Sequence, residues 1–71
     1  MKLGTELTAN DDFRFVTSCR LPVAVVDSST RQIIDVGEME QNGDLTFVVN
    51  GKTYSRDRRI HRVYFYPEAA Y

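Results

Sequence analysis

From Phe13 onward, apolar and polar side chains alternate with a period near two. Phe13, Phe15, Thr17 and Cys19 interleave with Arg14, Val16, Ser18 and Arg20. Successive side chains of a strand point to opposite faces, so this alternation predicts a strand with Cys19 on its core face. Leu21-Pro22 interrupts it, because proline lacks a backbone donor and sits at strand starts or edges. Pro22 to Asp27 predicts a second strand, β-branched and buried on both faces. Asp27-Ser28-Ser29-Thr30 is turn chemistry, and Arg31 to Met39 predicts a third strand. Residues 1–12 are polar. Their Asn10-Asp11-Asp12 cluster suits a turn or a helix cap, which predicts an N-terminal arm or a short helical turn.

Two Asn-Gly pairs are the strongest local signals, since both residues tolerate positive φ and favour hairpin tips. Asn42-Gly43 is expected to join Arg31–Met39 to Leu45–Asn50, and Asn50-Gly51 to join that strand to Lys52–Arg56. A two-residue turn at Asn50-Gly51 pairs Val49 with Lys52, Val48 with Thr53 and Phe47 with Tyr54. Leu45, Phe47 and Tyr54 then share the expected core face. For the first hairpin, a two-residue loop puts Ile34 and Val36 on that face. A three-residue loop with a bulge puts Ile33, Gly37 and Met39 there instead, and the pattern alone does not choose. Ser55 to Arg59 is polar and holds at most a 3₁₀ turn. Ile60 to Tyr66 predicts the last strand, stopped by Pro67, with 68–71 as a tail.

No segment sustains a 3.6-residue period over ten positions. The expected fold class is mostly β, with little helix. Five to six short antiparallel strands form a small bent sheet or an SH3-like barrel over residues 13–67 as a single β domain. Leu21-Pro22-Val23-Ala24-Val25-Val26-Asp27, a turn, and Gln32-Ile33-Ile34-Asp35-Val36 together resemble the opening hairpin of PAS sensor domains. The resemblance is confined to these residues. The helices that form the PAS ligand pocket have no counterpart downstream, and no family is assigned.

Composition narrows the function classes. The 71 residues are 42% hydrophobic and 27% charged, with a net charge of −1, which excludes the signature of disorder. A chain this short buries only about 60% of its unfolded surface, so a partner or self-association would supply useful burial. Val23–Val26 is the longest apolar run, far short of the roughly 20 residues a membrane helix needs. A single cysteine and the lack of an export signal point to the cytoplasm.

The chemistry-bearing residues are few. One Cys and one His cannot build a four-ligand zinc site. Cys19 and His61 are the sole thiol–imidazole pair, and a buried cysteine behaves as a small hydrophobe. Asp11-Asp12 and Asp35, Glu38 and Glu40 read as caps and a wet strand face rather than as paired acid and base. Gly4, Gly37, Gly43 and Gly51 have no phosphate-loop spacing. No catalytic, cofactor or metal residues are therefore expected, and no enzyme activity.

Charge is unevenly placed. Residues 1–50 carry four basic against eight acidic side chains, whereas residues 51–71 carry five against two. Lys52, Arg56, Arg58, Arg59 and Arg62 interleave with Tyr54, Tyr64, Phe65 and Tyr66, the mix used by barrels that bind single-stranded nucleic acid. A pI of about 5.7 weighs against that reading. In Ile60–Tyr66, Val63 and Phe65 are expected to face the core. Arg62, Tyr64 and Tyr66 then form an outward row beside a strand edge open to another chain. The leading expectation is a non-catalytic protein-interaction module, a regulator or inhibitor docking on a larger protein or self-associating through that row. Nucleic-acid binding by the basic third is the alternative.

Overall fold

The computed structural model describes residues 3–69. Five strands form one open antiparallel sheet: β1 (Pro22–Asp27), β2 (Ile33–Asn42), β3 (Thr46–Val49), β4 (Lys52–Ser55) and β5 (His61–Phe65). Their spatial order is β4-β3-β2-β1-β5. One helix, α1 (Asn10–Ser18), precedes them, and a 3₁₀ turn (Pro67–Ala69) follows. The expected mostly-β architecture with little helix is present.

The helix replaces the expected strand at Phe13–Cys19. Only Phe13 and Val16, three residues apart, are buried, while Phe15 is 59% exposed, so the alternation was not the pattern that packing uses. At the start of α1, Asp12 Oδ2 accepts the N–H groups of Thr8 and Ala9, both at 3.1 Å, satisfying donors that a helix start leaves orphaned. At its end Arg20 takes a left-handed φ of 54°. The Leu21 N–H then bonds back to the Val16 carbonyl at 3.0 Å, which is a Schellman closure with Leu21 set beside Val16. Cys19 caps this end and is exposed, so the expected burial of its thiol is overturned.

The core lies between α1 and the inner face of the sheet. Phe13 and Val16 meet Val23, Val25, Met39, Phe47, Val49 and Val63, with Leu7 closing one side. The strand at Pro22–Asp27 has its expected bounds, and its residues up to Val26 are buried. The second hairpin also has its expected register, with Phe47 opposite Tyr54. Asn50 and Gly51 occupy its tip with φ of 54° and 76°, the positive values that such a turn demands.

The first hairpin departs from expectation at its tip. Asn42 is the last residue of β2, and the Gly43 N–H donates to the Thr46 carbonyl at 2.8 Å. Asp44 and Leu45 therefore make the turn. Neither Asn42 nor Gly43 has positive φ, and Leu45 leaves the core face at 80% exposure. A bulge at Glu40 resets the register and puts Met39 opposite Val49. Met39 is thus a core residue, as in the bulged alternative. A second irregularity between Val25 and Val26 pairs Val26 with Ile33, and neither Ile33 nor Ile34 joins the core.

The sheet bends because β2 serves two neighbourhoods, pairing with β1 along its first half and with β3 along its second. The outer edge of β5 is not open. Gly4–Leu7 runs alongside it, with Gly4 N–H to Phe65 O at 2.7 Å, Phe65 N–H to Thr5 O at 2.9 Å and Leu7 N–H to Val63 O at 2.8 Å. The expected free edge at Ile60–Tyr66 is therefore covered by the chain's own N-terminal segment.

Candidate functional site

On the face of the sheet opposite α1, Arg62 pairs with Val26 and Tyr64 with Ala24. Cross-strand partners share a face, so β5 sets the guanidinium and the phenol over the buried methyls of β1. The β1–β2 turn completes the site. Asp27 Oδ1 accepts the N–H groups of Ser29 and Thr30, and Arg31 closes the turn with a left-handed φ of 60°. Arg31, Arg62, Tyr64, Ser28, Leu3 and Val26 line a concavity of about 160 Å³. The Asp27 carboxylate at its rim is held below the ordinary carboxylate range by the Thr30 and Ser29 N–H groups.

The two arginines of this concavity, which shares its rim with Asp27, are held differently. Arg62 meets Glu6 at 3.7 Å with its side chain 45% exposed, a loose contact. Arg31 has no ion-pair partner among the described residues. The row expected on β5 is only partly assembled. Arg62 and Tyr64 come together, but Tyr66 lies beyond the end of β5, where its N–H donates to the Pro22 carbonyl at 3.0 Å. Tyr66 is not among the residues lining the concavity.

The remaining basic residues are mostly committed. Arg56 donates to Asn10 Oδ1 at 2.8 Å and to the Gly43 carbonyl, with its guanidinium carbon 4.0 Å above the Phe13 ring. Arg58 is bonded to Glu6 at 2.9 Å. Arg59 closes on Asp57 at 2.8 Å, and that bond, with the Arg59 N–H, holds Asp57 down at about 2. Lys52 is exposed beside the Asn50-Gly51 tip. Of the five cations, Arg56 and Arg58 line one hollow with Phe13 and Phe47, and Arg62 lines another.

A polar cluster ties β4 to β2 and β5. The Tyr54 hydroxyl donates to Asp35 Oδ2 and Asn50 Nδ2 donates to Asp35 Oδ1, each at 2.6 Å. The His61 ring stands edge-on to Tyr54 at 5.2 Å. Burial, then the bond to Asp35 and its charge, push the Tyr54 phenol up to about 12. Among the described residues, no three His, Cys, Asp or Glu side chains cluster to hold a metal ion, and no helix is long and apolar enough to cross a membrane.

Two contributors escaped the sequence reading. Arg31 follows a polar turn, and nothing in its neighbours marks it as half of a pair with Arg62. Glu6 sits in an apparently loose arm, yet it bonds Arg58 and Arg62 across more than fifty residues of chain. The chain matches no protein-family model, and no curated protein or solved structure is significantly similar to it.

Proposed function

We propose that the chain is a small non-catalytic protein-interaction module whose contact surface is the Arg31–Arg62–Tyr64 concavity. The observation that carries this reading is the Arg31 guanidinium, without an ion-pair partner among the described residues, beside the loosely held Arg62 and the half-buried Tyr64. An unpaired guanidinium beside a loosely held one favours an acidic partner surface. Tyrosine and arginine are also the residues most enriched at binding hot spots. The row Arg62–Val26–Ile33 continues the patch across three strands towards Ile34, which is 45% exposed. A regulator or inhibitor that docks on a larger protein suits a chain whose surface hollows are this small. Self-association through the same face is the homo-oligomeric form of the reading.

The sheet layout supports an SH3-like barrel: β5 returns to β1, β2 is divided between β1 and β3, and Tyr54 ties β4 back to Asp35. The exposed, unpaired Cys19 thiol suits a reducing compartment, and the reading places the protein in the cytoplasm.

The test is a pull-down from the native host with the intact chain and an Arg31→Glu/Tyr64→Ala variant, beside light scattering on both. The variant is expected to melt as the parent does and to lose the captured protein or the self-associated form. Unchanged capture by a folded variant would place the interface elsewhere. A partner released by nuclease and by modest salt would favour nucleic acid, since phosphate contacts weaken steeply with salt.

A further inference from the structure

Beneath the Ser55–Arg59 turn, on the helix side of the sheet, lies a second and more enclosed hollow of about 110 Å³. Its floor is core: Leu7, Phe13, Phe47 and Val63 are all buried. Its mouth carries Thr8, Arg56, Arg58 and His61. Arg56 is half-buried and fixed by two neutral acceptors and an aromatic face, with no carboxylate against it. Those bonds use two of its five N–H donors. A guanidinium withdrawn from water and left without a counter-ion attracts an anion more strongly than an exposed one.

The other charged groups nearby are engaged elsewhere. Glu6 is bonded to Arg58 and lies near Arg62, Asp57 is closed on Arg59, and Asp12 is held by the Thr8 and Ala9 N–H groups. His61 Nδ1 lies 3.1 Å from the Ser55 carbonyl. A carbonyl only accepts, so Nδ1 carries the hydrogen and Nε2 is left for another partner.

We propose that this hollow binds a short aliphatic carboxylate. Its charged end sits between Arg56 and the Thr8 hydroxyl, and its hydrocarbon body rests on Leu7, Phe13, Phe47 and Val63. An inorganic oxyanion would press its inner oxygens against hydrocarbon with no donor to meet them. A cavity of roughly 150 Å³ accommodates benzene, so this smaller one suits a chain of a few carbons.

The experiment is a two-dimensional NMR titration of the full ¹⁵N-labelled chain with butyrate, acetate and phosphate at constant ionic strength. Butyrate is expected to give saturable shifts at Thr8, Arg56, His61 and Val63. Acetate, two methylenes shorter, should bind on the order of tenfold more weakly, and phosphate should not saturate. Phosphate binding as tight as butyrate would overturn the proposal, as would a butyrate response that never saturates. Arg56→Gln is expected to abolish binding. Because Arg56 also fastens the helix, Thr8→Phe is the companion variant. Thr8 is exposed and contributes only its N–H to the fold, so Thr8→Phe should melt normally while its ring fills the mouth. Butyrate shifts that persist in either folded variant would overturn the assignment.

Discussion

Tyr54 and Asp35 are joined by a 2.6 Å hydrogen bond although they are not partners in the sheet ladder. Tyr54 pairs with Phe47, which pairs with Asn42, seven residues along β2 from Asp35. Contact between Tyr54 and Asp35 requires the sheet to curl until β4 faces the start of β2. The bond therefore holds the bend that follows from the shared strand.

Removing the hydroxyl tests this. Tyr54→Phe keeps the ring stacked on Phe47 and deletes one bond to a charged acceptor. It should cost about 1.5–3 kcal/mol, at the lower end because Asp35 retains the Asn50 amide and the Val36 N–H. Urea denaturation at neutral pH would read the loss. An unchanged midpoint would mean that the bend is held by the backbone alone.

The same pair sets a pH window at each end. Burial pushes the Asp35 carboxyl up but is outweighed by the bonds from Tyr54, Asn50 and the Val36 N–H and by the charge of Lys52, so its pKa falls below 3.8. Its contribution is complete above the unfolded value and is lost as the pH drops through the lower folded one. Tyr54 is raised from 10.0 to about 12. Its contribution is complete below pH 10 and is lost between there and about 12. Denaturation midpoints should fall across that alkaline interval in the parent and stay flatter in Tyr54→Phe.

Gly37 and Asn50 form a packing pair. A Cβ built on Gly37 would meet Asn50 Oδ1 at 2.8 Å and Nδ2 at 2.9 Å, while Asn50 Nδ2 also bonds the Val36 carbonyl at 2.9 Å. Gly37→Ala should destabilise by about 1–3 kcal/mol through overpacking. Asn50→Gly accepts the positive φ at that position and removes the obstructing amide. The cost of Gly37→Ala should then shrink in the Asn50→Gly background, a coupling that a double-mutant cycle measures. Strict additivity would show that the amide yields without cost.

Cys19 should be labelled rapidly by a thiol reagent in the native protein, because it caps α1 in solvent. Cys19→Ser should change stability by less than about 0.5 kcal/mol. Slow labelling limited by global unfolding would restore the buried strand that the sequence pattern suggested.

The parts of the fold that could be read from the sequence are those where one local cue has one solution. Pro22–Asp27 is a run of β-branched residues with burial on both faces, and Asn50-Gly51 demands positive φ, which in turn sets Phe47 opposite Tyr54. Phe13–Cys19 supports two periods at once. Phe13 and Val16 serve a helix, whereas Phe13, Phe15 and Cys19 serve a strand, and the Asp12 cap, the Schellman closure and tertiary contacts such as Arg56 over Phe13 decide for the helix. Ile33 and Ile34 look equally fit for the core, and both are diverted by the bulge opposite Val26. The candidate site was half visible. Arg62 and Tyr64 follow from strand alternation, but Arg31 reaches them through a left-handed turn residue, and Tyr66 leaves because the ladder stops at Phe65.

The strip at Gly4–Leu7 does more than complete the hydrogen bonding of β5. An unprotected strand is a template on which other chains nucleate, and β5 adjoins the most apolar strand in the molecule. The N-terminal segment thus takes up β5 donors and acceptors that another chain would otherwise pair with. Its Glu6 also keeps two arginines, Arg58 and Arg62, from standing as bare charge on the surface. The few residues ahead of the helix therefore serve two elements far from them in sequence, by backbone bonds to β5 and by charge to Arg58 and Arg62.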